Sequence, residues 1–595
     1  MPSYTAPLRD IRFVLHDVLG LEKTLAETGA FPGLDRALVD QVLNEAATLS
    51  AERIQPHNRS ADEEGCRLTP DGVKVPPGIK AAWEAFRDGG WPGLTAKPEH
   101  GGQGLPKTLS FVLNEMTSSA SIAASDYYGL FTMVYRMVQL HAAPELQARY
   151  SEGLASGRFG GTMCMTEPHC GTDVGLAKTR AEPNDDGSWR ITGTKIFISA
   201  GDHDLTENIV HLVLARAVGD QAGSRGLSLF LTPKIKPDGT RNALKAVRLE
   251  HKLAYAGSAT CQMAFDGAQA WLIGERSKGL MAMFDMVNAA RLMVGSQGMA
   301  GAEQAYQIAA AYARQRLQGR APGKPAHPEL PADPILCHPD VRRLLLSARA
   351  YIEAARALYL GLGLEVDLAE THPDPGRRKL AADWLGFLTS TTKATLADYG
   401  VWATNDCLQV LGGHGYIRDN GVEQILREVR LNPIQEGANG MLALDLIRRQ
   451  IPRDGGAIWR RFLATLQDEE QAAPPALKDL ADGLTAARRR LERAAQWIEE
   501  RTGQDPAEAG AAGTDFQRIM GMILLAWQWL KLARVAQGKL DAGEPDDDGF
   551  LAGKLATARF YYQRMLPLSE GHWLALQAGA QSTMAPPPAW FWPDA

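Results

Sequence analysis

The chain has 595 residues, 45% of them hydrophobic and 22% charged, with a formal net charge of −6. The composition is ordinary for a globular protein, and the length suggests several domains or lobes around a large core. The charge balance gives no general electrostatic case for binding nucleic acid.

Residues 1–13 (MPSYTAPLRDIRF) carry charges and no apolar run, so they do not read as a secretory signal. Residues 1 to about 160 read as helical. After Asp35, a plausible N-cap, Leu38, Val42, Leu43, Ala46 and Leu49 recur near helical spacing. The runs at 91–94 (WPGL) and 99–104 (EHGGQG) punctuate this segment as loops. Helical patterns resume over 108–120 and 127–140. Tyr127, Tyr128 and Phe131 there are candidates for a substrate pocket, with core packing the favoured role.

From about 161 to 275 the period changes. Runs at 189–192, 209–214, 227–231, 261–265 and 271–273 are short, β-prone and separated by Gly, Asp and Pro. They predict an all-β domain. From 276 to 450 the helical pattern returns, with long segments near 277–317, 338–368 and 377–411 and a Pro/Gly/Ala-rich loop at 318–337. An α–β–α order of this kind predicts segregated lobes, an α+β fold, rather than alternating βαβ units.

Residues 451 to about 475 read as a polar, Pro-containing link, and 476–583 as an extra helical region. Phe516, Met520, Ile523, Leu524, Trp527 and Leu530 mark one apolar stripe there. Its most apolar part, 520–530, is shorter than the ~20 residues that span a bilayer. Arg488, Arg489, Arg490 and Arg493 suggest a phosphate patch. However, residues 471–595 hold 13 Lys and Arg against 15 Asp and Glu, which favours a solvated helix face. The expected division is 1–34, an N-terminal extension; 35–160, a helical domain; 161–275, the β-domain; 276–455, a helical bundle; and 456–595, an additional helical domain.

The six cysteines show no CxxC pair and no zinc-like spacing, so no metal site is expected. Cys170 beside His169 reads as a buried or loop position rather than a ligand pair. This cysteine usage fits a reducing compartment, and with no membrane span expected the chain reads as cytoplasmic.

Residues 409–440 (QVLGGHGYIRDNGVEQILREVRLNPIQEGANG) combine a glycine-rich turn with one carboxylate, Glu436, in an irregular and mostly uncharged break. Glycine lets backbone approach a ligand closely. A lone carboxylate beside apolar residues is a candidate general base. By itself this is a weak signal, because a surface turn has the same look. His414 in the same loop reads as structural.

Several ordered stretches carry a resemblance. Residues 163–173 (MCMTEPHCGTD), 195–201 (KIFISAG), 265–267 (FDG) with 272–275 (LIGE), 288–291 (NAAR), 312–316 (YARQR) and the loop around Glu436 follow one another as in the acyl-CoA dehydrogenase family. Residues 4–10, residues 203–210 and the extra C-terminal helices resemble its longer subgroup, which includes 3-methylmercaptopropionyl-CoA dehydrogenases and broad-range fatty acyl-CoA dehydrogenases. The resemblance implies a helical N-terminal lobe, a middle β-barrel and a helical bundle, with FAD bound between them and across the interface of a homodimer. It implies α,β-dehydrogenation of an acyl-CoA, with electrons passed to an electron-transfer flavoprotein. No side chain can accept a hydride, so a flavin must.

By the same resemblance Glu436 is the base, and its backbone N–H, with a ribityl hydroxyl, holds the thioester carbonyl. Met163, Met165, Thr166, Gly171, Thr172, Phe197 and Ser199 line the flavin. Arg316 meets the pyrophosphate of the other subunit's FAD, and Gln409, Gly412, Gly413 and Asn439 lie near the cofactor. Thr172, Asn288, Arg291 and Gly437 contact substrate. Ala438 departs from the family's usual threonine after Glu-Gly, which removes one hydroxyl, a loss of ~1 kcal/mol if it bonded FAD. Residues 252–258 carry alanines where relatives often have glycine, which would reshape the substrate rim. An acyl-CoA oxidase using O₂ and a flavin-containing nucleic-acid binder are the alternatives of the same resemblance. Acyl chain length is not legible.

Overall fold

The computed structural model describes residues 4–592. The chain forms two compact units, one of residues 4–6 with 41–293 and one of residues 7–40 with 294–592.

In the unit containing residues 41–293, helices Pro77–Asp88, Lys107–Ala120, Ile122–His141 and Pro144–Ala155 precede the sheet. The Ile122–His141 helix starts where the hydroxyl of Ser121 accepts the Ala124 N–H. Its buried face carries Tyr127, Tyr128 and Phe131. With Trp83 and Phe86 they form one aromatic cluster, in which Phe86 stacks on Tyr128 at 4.0 Å. These rings are packed in the core. A hairpin, β1 (Arg67–Thr69) with β2 (Gly72–Lys74), interrupts what reads in sequence as purely helical. Its alternation is only three residues per strand, too short for a periodic signal.

The sheet proper comprises β3 (Phe159–Cys164), β4 (Arg180–Pro183), β5 (Trp189–Ser199), β6 (Asn208–Ala217), β7 (Leu227–Pro233), β8 (Leu244–Leu249) and β9 (Thr260–Ile273). Pairings β6–β4–β5–β9–β7 and β7–β6 close a barrel, with β3 added parallel to β6 and β8 added to β9. β6 and β7 are buried almost throughout, which explains their continuous apolar runs.

The described residues of the other unit form helices and loops, with one isolated bridge between Leu317 and Pro334. Pro339–Thr371 packs along Pro375–Val410, and both meet Ala507–Asp541. Gly298 and Gly400 let two helices cross backbone to backbone, since a Cβ on Gly400 would come within 2.6 Å of the Gly298 Cα. The presumed link at 451–475 contains a helix, Ala457–Gln471, whose Phe462 and Leu466 are buried. Flanking Pro and acidic residues hide its i, i+3, i+4 pattern (Trp459, Phe462, Leu463).

Helix Ala507–Asp541 is long and apolar enough to cross a membrane by composition, yet 78% of its most apolar window is buried inside the protein. It is a core helix of the appended region. Arg488 forms a forked pair with Glu470 at 2.8 and 3.0 Å, and Arg490 bonds Ser569 and Glu570 at 2.8 and 2.6 Å. Arg488 and Arg490 thus clamp neighbouring helices, whereas Arg489 and Arg493 are exposed, as a solvated helix face predicts.

A buried ionic cluster joins the N-terminal segment to this region. Asp10 is paired with both Arg356 and Lys554. Arg356 also bonds Glu303 at 2.7 Å, Lys554 bonds Glu353 at 2.7 Å, and Arg349 bonds Glu353 at 2.6 Å. The Lys554 ammonium lies 5.1 Å from the Phe550 ring centre. Burial alone would raise the Asp10 carboxyl, but Lys554 and Arg356 hold it below the usual carboxylate range.

Candidate active site

The candidate residues of the unit containing 41–293 meet where the end of β3 faces the end of β5. β5 carries a bulge between Lys195 and Ile198, so Phe197 is turned outward at φ 57° and is 61% exposed. A large ring in the left-handed region and in solvent is costly in itself, and such strain clusters at functional sites. The segment after β3 is fastened to this bulge. Lys195 Nζ donates to the Met165 carbonyl at 2.9 Å, the Ile196 N–H donates to the Thr166 carbonyl at 2.9 Å, and Thr162 Oγ1 donates to the Ser199 carbonyl at 2.6 Å.

Beneath it lies a salt bridge absent from the sequence reading. Lys195 is fully buried and bonds Glu167 at 2.9 Å. Glu167 also accepts the N–H groups of Lys178 and Thr179 at 2.8 and 3.0 Å. Burial would raise its carboxyl, but Lys195 and these donors hold it below the usual value. The signal available in sequence was a lysine at an inward position of an alternating strand. Met163, Met165, Thr166 and Ser199 are half-buried, and Gly171 and Thr172 are exposed. Their face is thus open outward while its inner side is held by hydrogen bonds. That is the cradle a flat, apolar-faced ring system requires.

Ligand atoms of Glu167, His169 and Cys170 lie within 4.8 Å of one another. Glu167 already has a cation and two amides, and burial raises the Cys170 thiol, so the trio is a structural corner. Asn288 and Arg291 bond each other at 3.1 Å on one helix.

In the helical unit, Glu436 is half-buried at φ 54°, followed by Gly437 at φ 98°. The turn is closed by the Asn439 N–H on the Pro433 carbonyl at 3.1 Å. Lys393, fully buried in helix Pro375–Val410, donates to the Gly437 carbonyl at 2.9 Å and to Asn439 Oδ1 at 3.0 Å. Asn439 Nδ2 donates to Asp398 at 2.7 Å and to the Ala394 carbonyl at 3.2 Å. Both amide donors are therefore used inside the protein, and the side chain holds the loop instead of reaching outward to a cofactor. Lys393 and Asp398 were not singled out in sequence; a lone lysine in the Ser/Thr/Ala run 389–397 was the available signal. Gln409, Gly412 and Gly413 are exposed, and Arg316 is exposed just past helix Gly279–Gln315. Tyr312 Oη meets His414 Nδ1 at 3.2 Å, bringing that helix end to the glycine loop.

Four family models match the chain in order: acyl-CoA dehydrogenase N-terminal domain at 39–158, middle domain at 162–268, C-terminal domain at 277–451, and acetyl-CoA dehydrogenase C-terminal like at 461–587. The chain is 38% identical to 3-methylmercaptopropionyl-CoA dehydrogenase of Ruegeria pomeroyi, over 95% of this chain and 96% of that protein.

The chain belongs to the acyl-CoA dehydrogenase family.

It is also 32% identical to the broad-specificity linear acyl-CoA dehydrogenase FadE5 of Mycobacterium tuberculosis, over 96% of both chains. The fold is shared with an FAD-complexed acyl-CoA dehydrogenase of Bacillus anthracis, at TM-score 0.74 and 19% identity, over 92% of this chain and 89% of that one. As an acyl-CoA dehydrogenase the chain is an FAD-dependent oxidoreductase acting on CH–CH bonds of acyl-CoA thioesters. The β3–β5 cradle fits that cofactor, since it offers an exposed ring at Phe197 beside half-buried Met163, Met165 and Thr166.

Proposed function

We propose that Glu436 is the base that takes the proton from Cα of a linear acyl-CoA to give the trans-2-enoyl-CoA, and that electrons then leave to an electron-transfer flavoprotein. Bound FAD supplies the acceptor for the hydride from Cβ. The observation that carries the reading is Glu436 held half-buried at φ 54° by a loop fixed from beneath. A carboxylate so fixed needs little rearrangement to meet its proton. The Glu436 N–H, beside its own carboxylate, polarises the thioester carbonyl.

On this reading Met163, Met165, Thr166, Gly171, Thr172, Phe197 and Ser199 seat the flavin. Gln409, Gly412, Gly413 and Arg316 serve the rest of the cofactor, with Arg316 reaching the partner of a homodimer. Its exposure at a helix end supports that role. Thr172, Asn288, Arg291 and Gly437 serve the substrate. Six unpaired cysteines support a reducing, cytoplasmic setting. The substrate class follows the two relatives named for 3-methylmercaptopropionyl-CoA and linear acyl-CoAs.

Anaerobic addition of acyl-CoAs from short to long chain, with 3-methylmercaptopropionyl-CoA included, should bleach the oxidised flavin of the purified protein. Glu436→Gln should keep its FAD and lose the bleaching by at least about 10³-fold in rate. A yellow protein that no thioester reduces, or a fully active Glu436→Gln, ends the reading. Stoichiometric peroxide under air would replace the flavoprotein acceptor with O₂.

A further inference from the structure

The Glu436 loop is gripped on two sides. Lys393 and Asp398 come from the bundle, and the second grip comes from the appended helix Ala507–Asp541. Arg518 Nε lies 3.9 Å from Asp398 Oδ2. That nitrogen is buried and makes no hydrogen bond in the structure. The guanidinium is further held over the Trp402 ring at 5.4 Å. The neighbouring Gln517, with its amide oriented to satisfy both partners, donates to the Asn439 carbonyl at 3.0 Å and accepts the Ala443 N–H at 3.3 Å. One turn earlier Gly513 faces Ala443, where an added Cβ would sit in ordinary contact with the Ala443 Cβ at 3.5 Å.

We propose that Arg518, contributed by the appended domain, is a positioning residue for the dehydrogenation: through Asp398, Asn439 and Lys393 it holds the Gly437 carbonyl, and so the strained Glu436 turn, in its working conformation. The inference rests on Glu436 being the base. A non-glycine residue at positive φ persists only where the surroundings over-determine it. Here Lys393 supplies that hold, Asn439 orients Lys393, and Asp398 orients Asn439. The carboxylate must stay an acceptor for this. Burial pushes the Asp398 carboxyl up, and Asn439, Arg518, Lys393 and Arg430 oppose the rise. Without Arg518, Asp398 loses a cation and the turn loses its outer support. The appended domain is therefore part of the catalytic apparatus as well as a cover for the bundle.

The test uses full-length, FAD-loaded protein with 3-methylmercaptopropionyl-CoA and octanoyl-CoA as probes. Arg518→Met should slow flavin reduction at saturating probe about tenfold, the effect of a small misplacement of a reacting group. It should leave the probe Kd and FAD content unchanged. Hydrogen exchange of residues 433–441 should rise. Arg518→Lys should recover most of both. Arg534→Met, on the same helix as Arg518, breaks a 2.9 Å pair with Glu469 of helix Ala457–Gln471 and should change neither. If Arg518→Met and Arg534→Met behave alike, or if reduction slows only as FAD is lost, the positioning role is wrong. If Glu436→Gln still reduces the flavin, the base assignment itself falls; a dead Glu436→Gln beside a normal Arg518→Met overturns only the positioning role.

Discussion

Phe197 and Glu436 share an unusual backbone, at φ 57° and 54°. Each stands inside a motif and each is bordered by a fully buried lysine that bonds nearby carbonyls, Lys195 in one case and Lys393 in the other. The lysines allow strained main chain to be kept without flexible play. Because Phe197 is 61% exposed, removing its ring sacrifices little burial. Phe197→Gly should therefore stabilise the FAD-free protein by about 1 kcal/mol, the lower end of the cost of a left-handed non-glycine residue. It should weaken FAD binding at the same time. Denaturant melts of the stripped protein and FAD titrations check both halves; a variant that loses stability and binds FAD normally contradicts them. Ala438 stands immediately before helix Asn439–Asp445 with no side-chain cap, so the missing hydroxyl leaves that helix start to its backbone bonds.

At the scale of the element, β5 joins the barrel to the cradle through its bulge and through the Lys195–Glu167 pair. Removing one partner strands the other charge in the interior, so Lys195→Met should cost about 3–5 kcal/mol and release FAD. The pH behaviour follows from the Glu167 carboxyl lying below its ordinary 4.5. A carboxyl depressed in the folded state contributes fully above its unfolded value and loses that contribution as pH falls through the folded one. The wild-type melting temperature should thus fall more steeply below about pH 4.5 than that of the neutral double variant Lys195→Met/Glu167→Gln. Parallel curves would show that the pair carries no linkage.

Across the whole chain, the N-terminal segment and the appended helices are fastened to the bundle by buried ion pairs as well as by apolar contact. Lys554→Met would leave Asp10 and Glu353 without one of their cations in the interior. It should destabilise by about 3 kcal/mol or more. Deleting residues 476–595 would uncover the bundle surface that helix Ala507–Asp541 covers, where Trp384 meets Trp527 and the Ala350 carbonyl accepts the Trp529 indole N–H. Insolubility or failed assembly is expected, and any soluble remnant, lacking Arg518, should also reduce its flavin more slowly. A well-behaved deletion protein with native thermal stability would contradict both expectations.

The α–β–α order, the long helices and the family motifs were legible in the sequence because they rest on local period and on contiguous residues. Helices at 339–371 and 375–410 lie close to the segments read from periodicity at 338–368 and 377–411. The short β1–β2 hairpin and helix Ala457–Gln471 were not legible, being too brief or too polar at the flanks for a periodic signal. What holds Phe197 and Glu436 in place was hidden for a different reason. Lys195 meets Glu167 across 28 residues, Arg356 meets Asp10 across 346, and the path from Arg518 to Asp398 links positions 120 apart. A lysine or arginine in a string of letters looks the same whether it is solvated or buried. Only chain folding brings a carboxylate to it and removes the water, so charge pairing at a distance belonged to the tertiary structure alone.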